Sequence, residues 1–204
     1  MQPSLFANAV FSLPDGLRFV TDFLSPAEEA ELLAAIGGLR LTEARYKQYV
    51  ARRRVAAFGA AFDYETNELL AAPPIPEALL PLRAKVAAWL SVEPARFEQI
   101  LVAEYRTGTP LGWHRDVPDF ESIVGISLLG NARMRFRPYP PATGRTHKSV
   151  ELDLPPRSAY VLEGPARWKW QHSIAPTPDH RYSISLRTRR GAPQLLLQAV
   201  PPNR

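Results

Sequence analysis

The segment LGWHRDVPDFES, residues 111–122, places a histidine and a carboxylate two positions apart, His114 and Asp116. On a β-strand such residues project from the same face, so both side chains would point the same way. A neutral imidazole and a carboxylate are good ligands for a borderline divalent metal, but a protein site needs at least a third. His172, in WKWQHSIAP, follows a run of strand character and is the best candidate for that ligand.

Two histidines and one carboxylate on one face form the facial triad of non-haem iron(II) oxygenases, which leaves positions open for a co-substrate and oxygen. The alternative is that His114 and Asp116 only hydrogen-bond to each other in a turn. His147 and His180 lie in turn-like segments and are interpreted as exposed loop residues.

A second group of residues suits an anion. The segment HRYSISLRTRR puts Arg181 and Arg187 an even number of residues apart on a predicted strand, so their guanidinium groups would share a face. Arginine forms bidentate pairs with carboxylates. A dicarboxylate bound beside a metal needs such groups, and Tyr105, in the predicted strand before His114 and Asp116, could add a hydroxyl donor. The alternative is a pair of arginines in salt bridges on a surface strand.

Length and composition set the context. The 204 residues fit one domain, and we expect residues 1–204 to form a single unit. Cysteine is absent, which excludes disulfides and thiolate metal sites. No apolar run is long enough for a transmembrane helix, and the N-terminus lacks the pattern of a secretory signal. We expect a cytoplasmic monomer without membrane contact.

The net charge of +5 comes mostly from clustered arginines. A basic balance favours a polyanionic partner such as nucleic acid, whereas the alternative is an ordinary solvated basic surface. The clusters are residues 52–54, alternate residues 133, 135 and 137, and residues 187, 189 and 190.

The elements that must position these residues are helices followed by strands. Ser25, Pro26 and Glu28 predict a capped helix ending at Gly37, and a second helix is predicted over residues 76–90 with Pro81 kinking or dividing it. Residues 45–70 are interpreted as hairpins or loops outside the core. Short strands are then predicted at residues 97–105, 122–129, 132–139, 148–155, 158–164 and 182–189, as in a β-sandwich or barrel.

The order of these residues resembles the AlkB-like family of iron(II)- and 2-oxoglutarate-dependent dioxygenases. The shared segments are EYRTGTPLGWHRD, SLLG, YVLEGPARWKWQHSI and RYSISLR, which span about residues 100–190. The resemblance implies an α+β protein with a double-stranded β-helix (jelly-roll) core at about residues 97–190. The N-terminal helices would pack on that core, and about residues 42–70 would form a substrate-recognition lid.

The resemblance also implies roles for individual residues. His114, Asp116 and His172 would bind iron(II), and Arg181 would pair with the distal carboxylate of 2-oxoglutarate. The remaining co-substrate contacts would come from Tyr105, Ser183 and Arg187. Substrate contacts would come from Asp119, Arg52, Arg53, Arg54 and Arg135.

The chain departs from the family pattern at three places. Ala103 and Ser183 stand where members have asparagine beside the co-substrate, and Pro118 stands where DNA-repair members carry an acidic residue that helps to hold the base. Asp119 is displaced from that position by one residue. These departures leave the iron chemistry intact and put a base-repair substrate in question.

The implied function is oxidative dealkylation of alkylated DNA or RNA bases, a demethylase of DNA-repair type that uses iron(II), 2-oxoglutarate and O₂. One alternative is the same oxygenase chemistry on a modified tRNA, a protein side chain or a small molecule. A non-catalytic nucleic-acid-binding module would explain the basic charge alone. A zinc hydrolase would use the same ligands but would not explain Arg181 and Arg187.

Overall fold

Two antiparallel sheets packed face to face form the core of the computed structural model, which describes residues 12–46, 49–141 and 149–191. The major sheet has the order β1-β11-β8-β13-β6-β3-β2 and the minor sheet the order β10-β9-β12-β7. The major-sheet strands are β1 (Leu17–Val20), β2 (Thr42–Tyr46), β3 (Tyr49–Phe58), β6 (Phe97–Tyr105), β8 (Phe120–Leu128), β11 (Ala159–Leu162) and β13 (Arg181–Arg189). The minor-sheet strands are β7 (Leu111–His114), β9 (Ala132–Pro138), β10 (Val150–Leu154) and β12 (Trp170–Ile174).

This is the jelly-roll arrangement expected from the sequence. All six predicted strands are present, shifted by no more than two residues at most ends. The apolar and arginine residues of β9 alternate between buried and more exposed positions, because side chains on a strand project to opposite faces. His147 lies outside the described residues.

Two helices, α1 (Pro26–Gly37) and α2 (Leu80–Leu90), cover the outer face of the major sheet. The Ser25 side chain accepts from the Glu28 backbone while the Glu28 side chain accepts from the Ser25 backbone, so the predicted capping box is present. Pro81 sits in the first turn of α2, directly after a 3₁₀ turn at Glu77–Leu79. The proline therefore divides the predicted helix, because its ring cannot occupy a helix interior.

Strands β6 and β13 decide which residues face inward. Ile100 and Val102 on β6, with Ile184 and Leu186 on β13, pack beneath the helices. Alternation sends the residues between them to the opposite face, where they line a cavity between the sheets. Those cavity residues are Gln99, Leu101, Ala103, Tyr105, Arg181, Ser183, Ser185 and Arg187. The prediction that Arg181 and Arg187 share a face is confirmed.

The interpretation of residues 45–70 as lying outside the core is wrong for β3. Arg54 to Phe58 of this strand pair with Glu104 to Ile100 of β6, which makes β3 part of the major sheet. Gly59 then lets the chain leave the sheet: its φ is +77°, and a Cβ there would lie 2.0 Å from the Glu98 carbonyl oxygen.

The residues after Gly59 form the lid hairpin, the two-stranded sheet of β4 (Ala60–Asp63) and β5 (Glu68–Ala71). This hairpin lies within the segment that is predicted to form the recognition lid, and its Ala61, Phe62 and Tyr64 line the cavity. No helix in the described part of the chain is long and apolar enough to cross a membrane.

Candidate active site

Three potential metal ligands meet at the edge of the minor sheet. His114 on β7 lies directly opposite His172 on β12, and their ring centroids are 4.2 Å apart. One donor atom each from His114, Asp116 and His172 lies within 4.8 Å of the others. The predicted convergence is present, but its predicted cause is wrong. β7 ends at His114, so the loop that follows, and not strand alternation, brings Asp116 to the histidines.

The hydrogen bonds around His114 and Asp116 leave one metal-binding atom of each side chain available. The Nδ1 of His114 lies 2.9 Å from the Gly112 carbonyl oxygen, which can only accept, so the proton sits on Nδ1 and the Nε2 lone pair is available. Asp116 Oδ1 accepts from Arg187, whereas its buried Oδ2 has no hydrogen-bond partner among the described residues. That oxygen lies 3.6 Å from His172 Nε2.

The electrostatics favour the protonation states that bind a metal. Burial, reinforced by the neighbouring His114, lowers the pKa of His172 to about 3, and burial also lowers the pKa of His114. Burial alone would raise the pKa of Asp116, but the charge of Arg187 holds it well below its ordinary value. Two neutral imidazoles, one carboxylate and a buried acceptor oxygen without a donor are a set that fits iron(II).

Arg187 is held from two sides. Its Nε and Nη2 donate to Asp116 Oδ1 at 3.1 and 2.8 Å, and its Nη1 donates to Gln99 Oε1 at 2.7 Å. The Gln99 Nε2 donates to the Ala60 carbonyl oxygen of the lid hairpin at 2.7 Å. A continuous line of hydrogen bonds therefore joins the lid hairpin to a candidate metal ligand. Sequence reasoning missed Gln99, although its even spacing from Tyr105 on β6 indicates the cavity face.

Arg181 lies at another part of the cavity and is 2% exposed. Its Nη2 donates to Ser127 Oγ at 3.1 Å, its Nε has no partner among the described residues, and no carboxylate there pairs with it. A buried guanidinium without a counter-charge is costly, so a bound carboxylate would stabilise it. Ser127 was not predicted, because its contact with Arg181 depends on the pairing of β8 with β13.

The pKa of Tyr105 reflects the positive charge in this part of the cavity. Burial would raise the pKa of its hydroxyl, but Arg53 and Arg181 outweigh burial and lower it. The Arg53 Nη1 donates to the Tyr105 hydroxyl oxygen at 3.4 Å, and the Arg181 guanidinium carbon lies 5.0 Å from the Tyr105 ring centre. Two guanidinium groups and a hydroxyl donor in an enclosed place suit one end of a dicarboxylate.

The cavity has a volume of about 520 Å³ and contains both groups of residues. Its size exceeds what one 2-oxoglutarate needs, which leaves room for part of a substrate. Tyr160 of β11 forms part of its wall and lies across Gly125 of β8, where a Cβ would come within 2.2 Å of the ring. Glycine at position 125 is thus required for Tyr160 to occupy this place.

The predicted substrate residues divide into separate groups. Arg53 is buried in the cavity wall, but Arg52 is exposed and Arg54 pairs with Glu104, because alternation on β3 sends neighbours to opposite faces. The three arginines therefore do not form one track. Asp119 does not line the cavity; it lies beside Arg189 and Arg190, in the turn before β8. Arg135 is on the outer face of the minor sheet.

A jelly-roll with this donor set and a buried arginine in the same cavity has the features of an iron(II)- and 2-oxoglutarate-dependent oxygenase. The sequence model of the 2OG-Fe(II) oxygenase superfamily matches residues 16–191, and the chain belongs to this family. Its cofactors are accordingly iron(II), 2-oxoglutarate and O₂.

The similar proteins indicate an AlkB-like member. The chain is 32% identical over 200 residues to "Alkylated DNA repair protein ALKBH8 homolog" of Arabidopsis thaliana, covering 88% of this chain and 55% of that protein. It is 29% identical over 171 residues to the mouse "tRNA (carboxymethyluridine(34)-5-O)-methyltransferase ALKBH8", covering 81% of this chain and 25% of that protein. The chain thus spans about half or less of these relatives. The solved structure of OsALKBH1 matches with a TM-score of 0.64 at 14% identity, over 87% of this chain and all of that one.

Proposed function

We propose that this protein oxidises an alkyl group on a nucleic-acid base, with loss of the oxidised group from the base. The observation that carries the proposal is one cavity that contains both the convergent His114, Asp116 and His172 donors and the buried Arg181. In this proposal the first three residues hold iron(II), and Arg181 pairs with the distal carboxylate of 2-oxoglutarate.

The residues of the chain then have distinct tasks. Bound iron(II) supplies the activation of O₂, coupled to oxidative decarboxylation of 2-oxoglutarate to succinate and CO₂. Arg187 keeps Asp116 ionised and oriented, and the Gly112 carbonyl fixes the tautomer of His114. Tyr105 and Ser183 complete the anion end, where Tyr105 donates from a buried position. The apolar walls exclude water, which protects the reaction from side chemistry.

A base is supported as the substrate by the rest of the cavity. The lid hairpin contributes Phe62 and Tyr64, whose rings are 5.1 Å apart in an edge-to-face arrangement, and Trp113 lies on β7. Aromatic walls favour a flat heterocycle. A base from a duplex would have to leave its stack, at a cost of a few kcal/mol, so a single strand is the easier source. The names of the plant and mouse relatives, DNA repair and tRNA, also refer to nucleic acid.

A modified base in tRNA is the second candidate. By the resemblance, Pro118 stands where DNA-repair members carry the acidic residue that helps to hold the base. Asp119 does not line the cavity, so neither residue provides that contact. The name of the mouse relative refers to tRNA, which also supports a tRNA base as the substrate. On a base carbon, hydroxylation would leave a stable alcohol, whereas on an N-alkyl carbon the hydroxylated group would leave as an aldehyde.

Succinate release with three kinds of substrate tests both candidates: N-methylated DNA oligonucleotides, N-methylated RNA oligonucleotides and bulk tRNA. Mass spectrometry of the nucleosides then separates loss of a methyl group from gain of one oxygen. Methyl loss coupled to succinate supports dealkylation, and oxygen gain in tRNA supports the second candidate. If no nucleic acid raises succinate release above the substrate-free rate, a protein or small molecule becomes the better substrate hypothesis.

A further inference from the structure

The outer face of the minor sheet carries an ordered group of arginines and aromatic rings, the Trp113 strip: Trp113, Arg115, Arg135, Arg137 and Tyr139. Arg135 and Arg137 leave β9 on the face opposite the buried Met134 and Phe136. Their guanidinium carbons lie 5.4 and 4.5 Å from the Trp113 ring centre. Trp113 directly precedes His114 and also lines the cavity, so the strip borders the candidate active site.

The charge on this face is uneven along β9. Arg133 lies near two carboxylates, Asp153 at 2.9 Å and Glu151 at 3.5 Å, so its charge is neutralised. The next two arginines have neutral partners instead. Arg135 Nε donates to Ser173 Oγ at 3.2 Å, and Arg137 Nε donates to Gln171 Oε1 at 2.8 Å. Among the described residues neither has a carboxylate partner, so two positive charges lie beside Trp113.

The strip continues past the end of β9. The Arg115 guanidinium carbon is 3.8 Å from the Tyr139 ring centre, and its Nη1 donates to the Trp168 carbonyl oxygen at 3.2 Å. Tyr139 is 41% exposed, so part of its ring is accessible to a partner. Strand register places the strip next to the candidate metal ligands. Arg137 on β9 lies opposite Gln171 on β12, and His172, the residue after Gln171, lies opposite His114 on β7.

The side chains of Arg135 and Arg137 are held in positions that suit phosphate binding. Both Nε groups donate hydrogen bonds and both guanidinium groups lie near the Trp113 ring, so these side chains have less entropy to lose on binding than free arginines. The Nη edges of Arg135 and Arg137 are not engaged by any described residue. A row of fixed guanidinium groups with interleaved aromatic rings matches the alternating phosphates and bases of a single strand.

We propose that the Trp113 strip binds the backbone of single-stranded nucleic acid next to the base that enters the cavity. This inference rests on the proposed function, because it takes the substrate to be a base within a polymer. Phosphates contact Arg135 and Arg137, and an adjacent base stacks on the exposed Tyr139 and Arg115 pair. The strip therefore recognises the backbone of a continuous strand, while the cavity recognises the alkylated base.

The test compares the double variant Arg135→Gln/Arg137→Gln with the control Arg133→Gln, a neutralised arginine on the same strand and face. Binding of fluorescein-labelled oligouridylate and oligothymidylate is measured by anisotropy over a range of salt. Each lost phosphate contact lowers the slope of log affinity against log salt by about 0.7 on a single strand, so the double variant should lose about 1.4. The control should keep the slope of the parent, and thermal melts confirm that both variants are folded.

The possible failures are distinguishable. If the folded double variant keeps the parent's slope, the strip does not bind phosphates, whatever the enzyme oxidises. If polyglutamate displaces the oligonucleotide as well as unlabelled oligouridylate does, the strip recognises an acidic protein and the inference is overturned. If the slope falls as expected but no alkylated oligonucleotide or tRNA raises succinate release, the strip binds nucleic acid but the proposed oxidation of a base is wrong.

Discussion

Gln99 is buried, and replacing it by leucine removes two hydrogen bonds at once. The Arg187 Nη1 loses its acceptor at 2.7 Å, and the Ala60 carbonyl oxygen loses its donor at 2.7 Å. A hydrogen bond to a charged group contributes about 1.5–3 kcal/mol and a neutral one about 0.5–1.5 kcal/mol. The free energy of unfolding should therefore fall by about 2–4.5 kcal/mol.

The same variant should weaken metal binding without touching a ligand. Arg187, no longer held by Gln99, becomes free to rotate away from Asp116, and loss of such an outer partner lowers metal affinity by about 10–100-fold. Gln99→Glu refines the test, because it keeps an acceptor for Arg187 but competes with Asp116 for it and cannot donate to Ala60. It should lose less stability than Gln99→Leu and still bind the metal more weakly than the parent.

Urea unfolding and a cobalt(II) titration followed by visible absorption measure the two effects. Gln171→Leu is the matched control, since Gln171 also accepts from an arginine, Arg137, but on the partly exposed outer face. Water replaces that bond, so its loss should cost less than about 1 kcal/mol and leave cobalt affinity unchanged. Equal stability and equal cobalt affinity for Gln99→Leu and Gln171→Leu would refute the link between the lid hairpin and Asp116.

Three further predictions concern the cavity. Arg181→Met should raise the Michaelis constant for 2-oxoglutarate by about ten- to more than a hundredfold, from a charge-assisted bond of about 1.5–3 kcal/mol; an unchanged constant would contradict its role. His114→Ala should abolish stoichiometric cobalt(II) binding, and tight binding by the variant would exclude His114 as a ligand. Gly125→Ala should lower the free energy of unfolding by about 1–3 kcal/mol, because its Cβ meets the Tyr160 ring; urea unfolding at parental stability would disprove that contact.

Side-chain alternation made much of this site predictable. Arg181 and Arg187 share the cavity face because they are an even number of residues apart on one strand, and the β9 arginines all face outward for the same reason. The capping box of α1 depends only on residues near Ser25, so it too could be predicted locally. In each case a short-range rule decides where the side chain points.

The predictions that failed depend on a turn or on distant pairing. Asp116 and Asp119 follow the end of β7, so the loop conformation and not strand alternation sets the direction of their side chains. Asp116 converges on the histidines, whereas Asp119 does not line the cavity. The polar run around Arg53 suggested a loop, but pairing with β6, about fifty residues later, makes it a sheet strand. That pairing carries Arg53 into the cavity wall, where local hydropathy alone would not put an arginine.

One cross-strand contact would have recovered more of the site. Arg181 lies directly opposite Tyr105, a pair that the sequence already suggested would act together. In an antiparallel ladder that single pairing fixes the rest of the regular register, so Ser183 must lie opposite Ala103 and Arg187 opposite Gln99. The first of these pairs joins two small residues of the cavity wall. The second identifies Gln99 as the partner of Arg187, and through Ala60 it ties the lid hairpin to the metal-binding side chains.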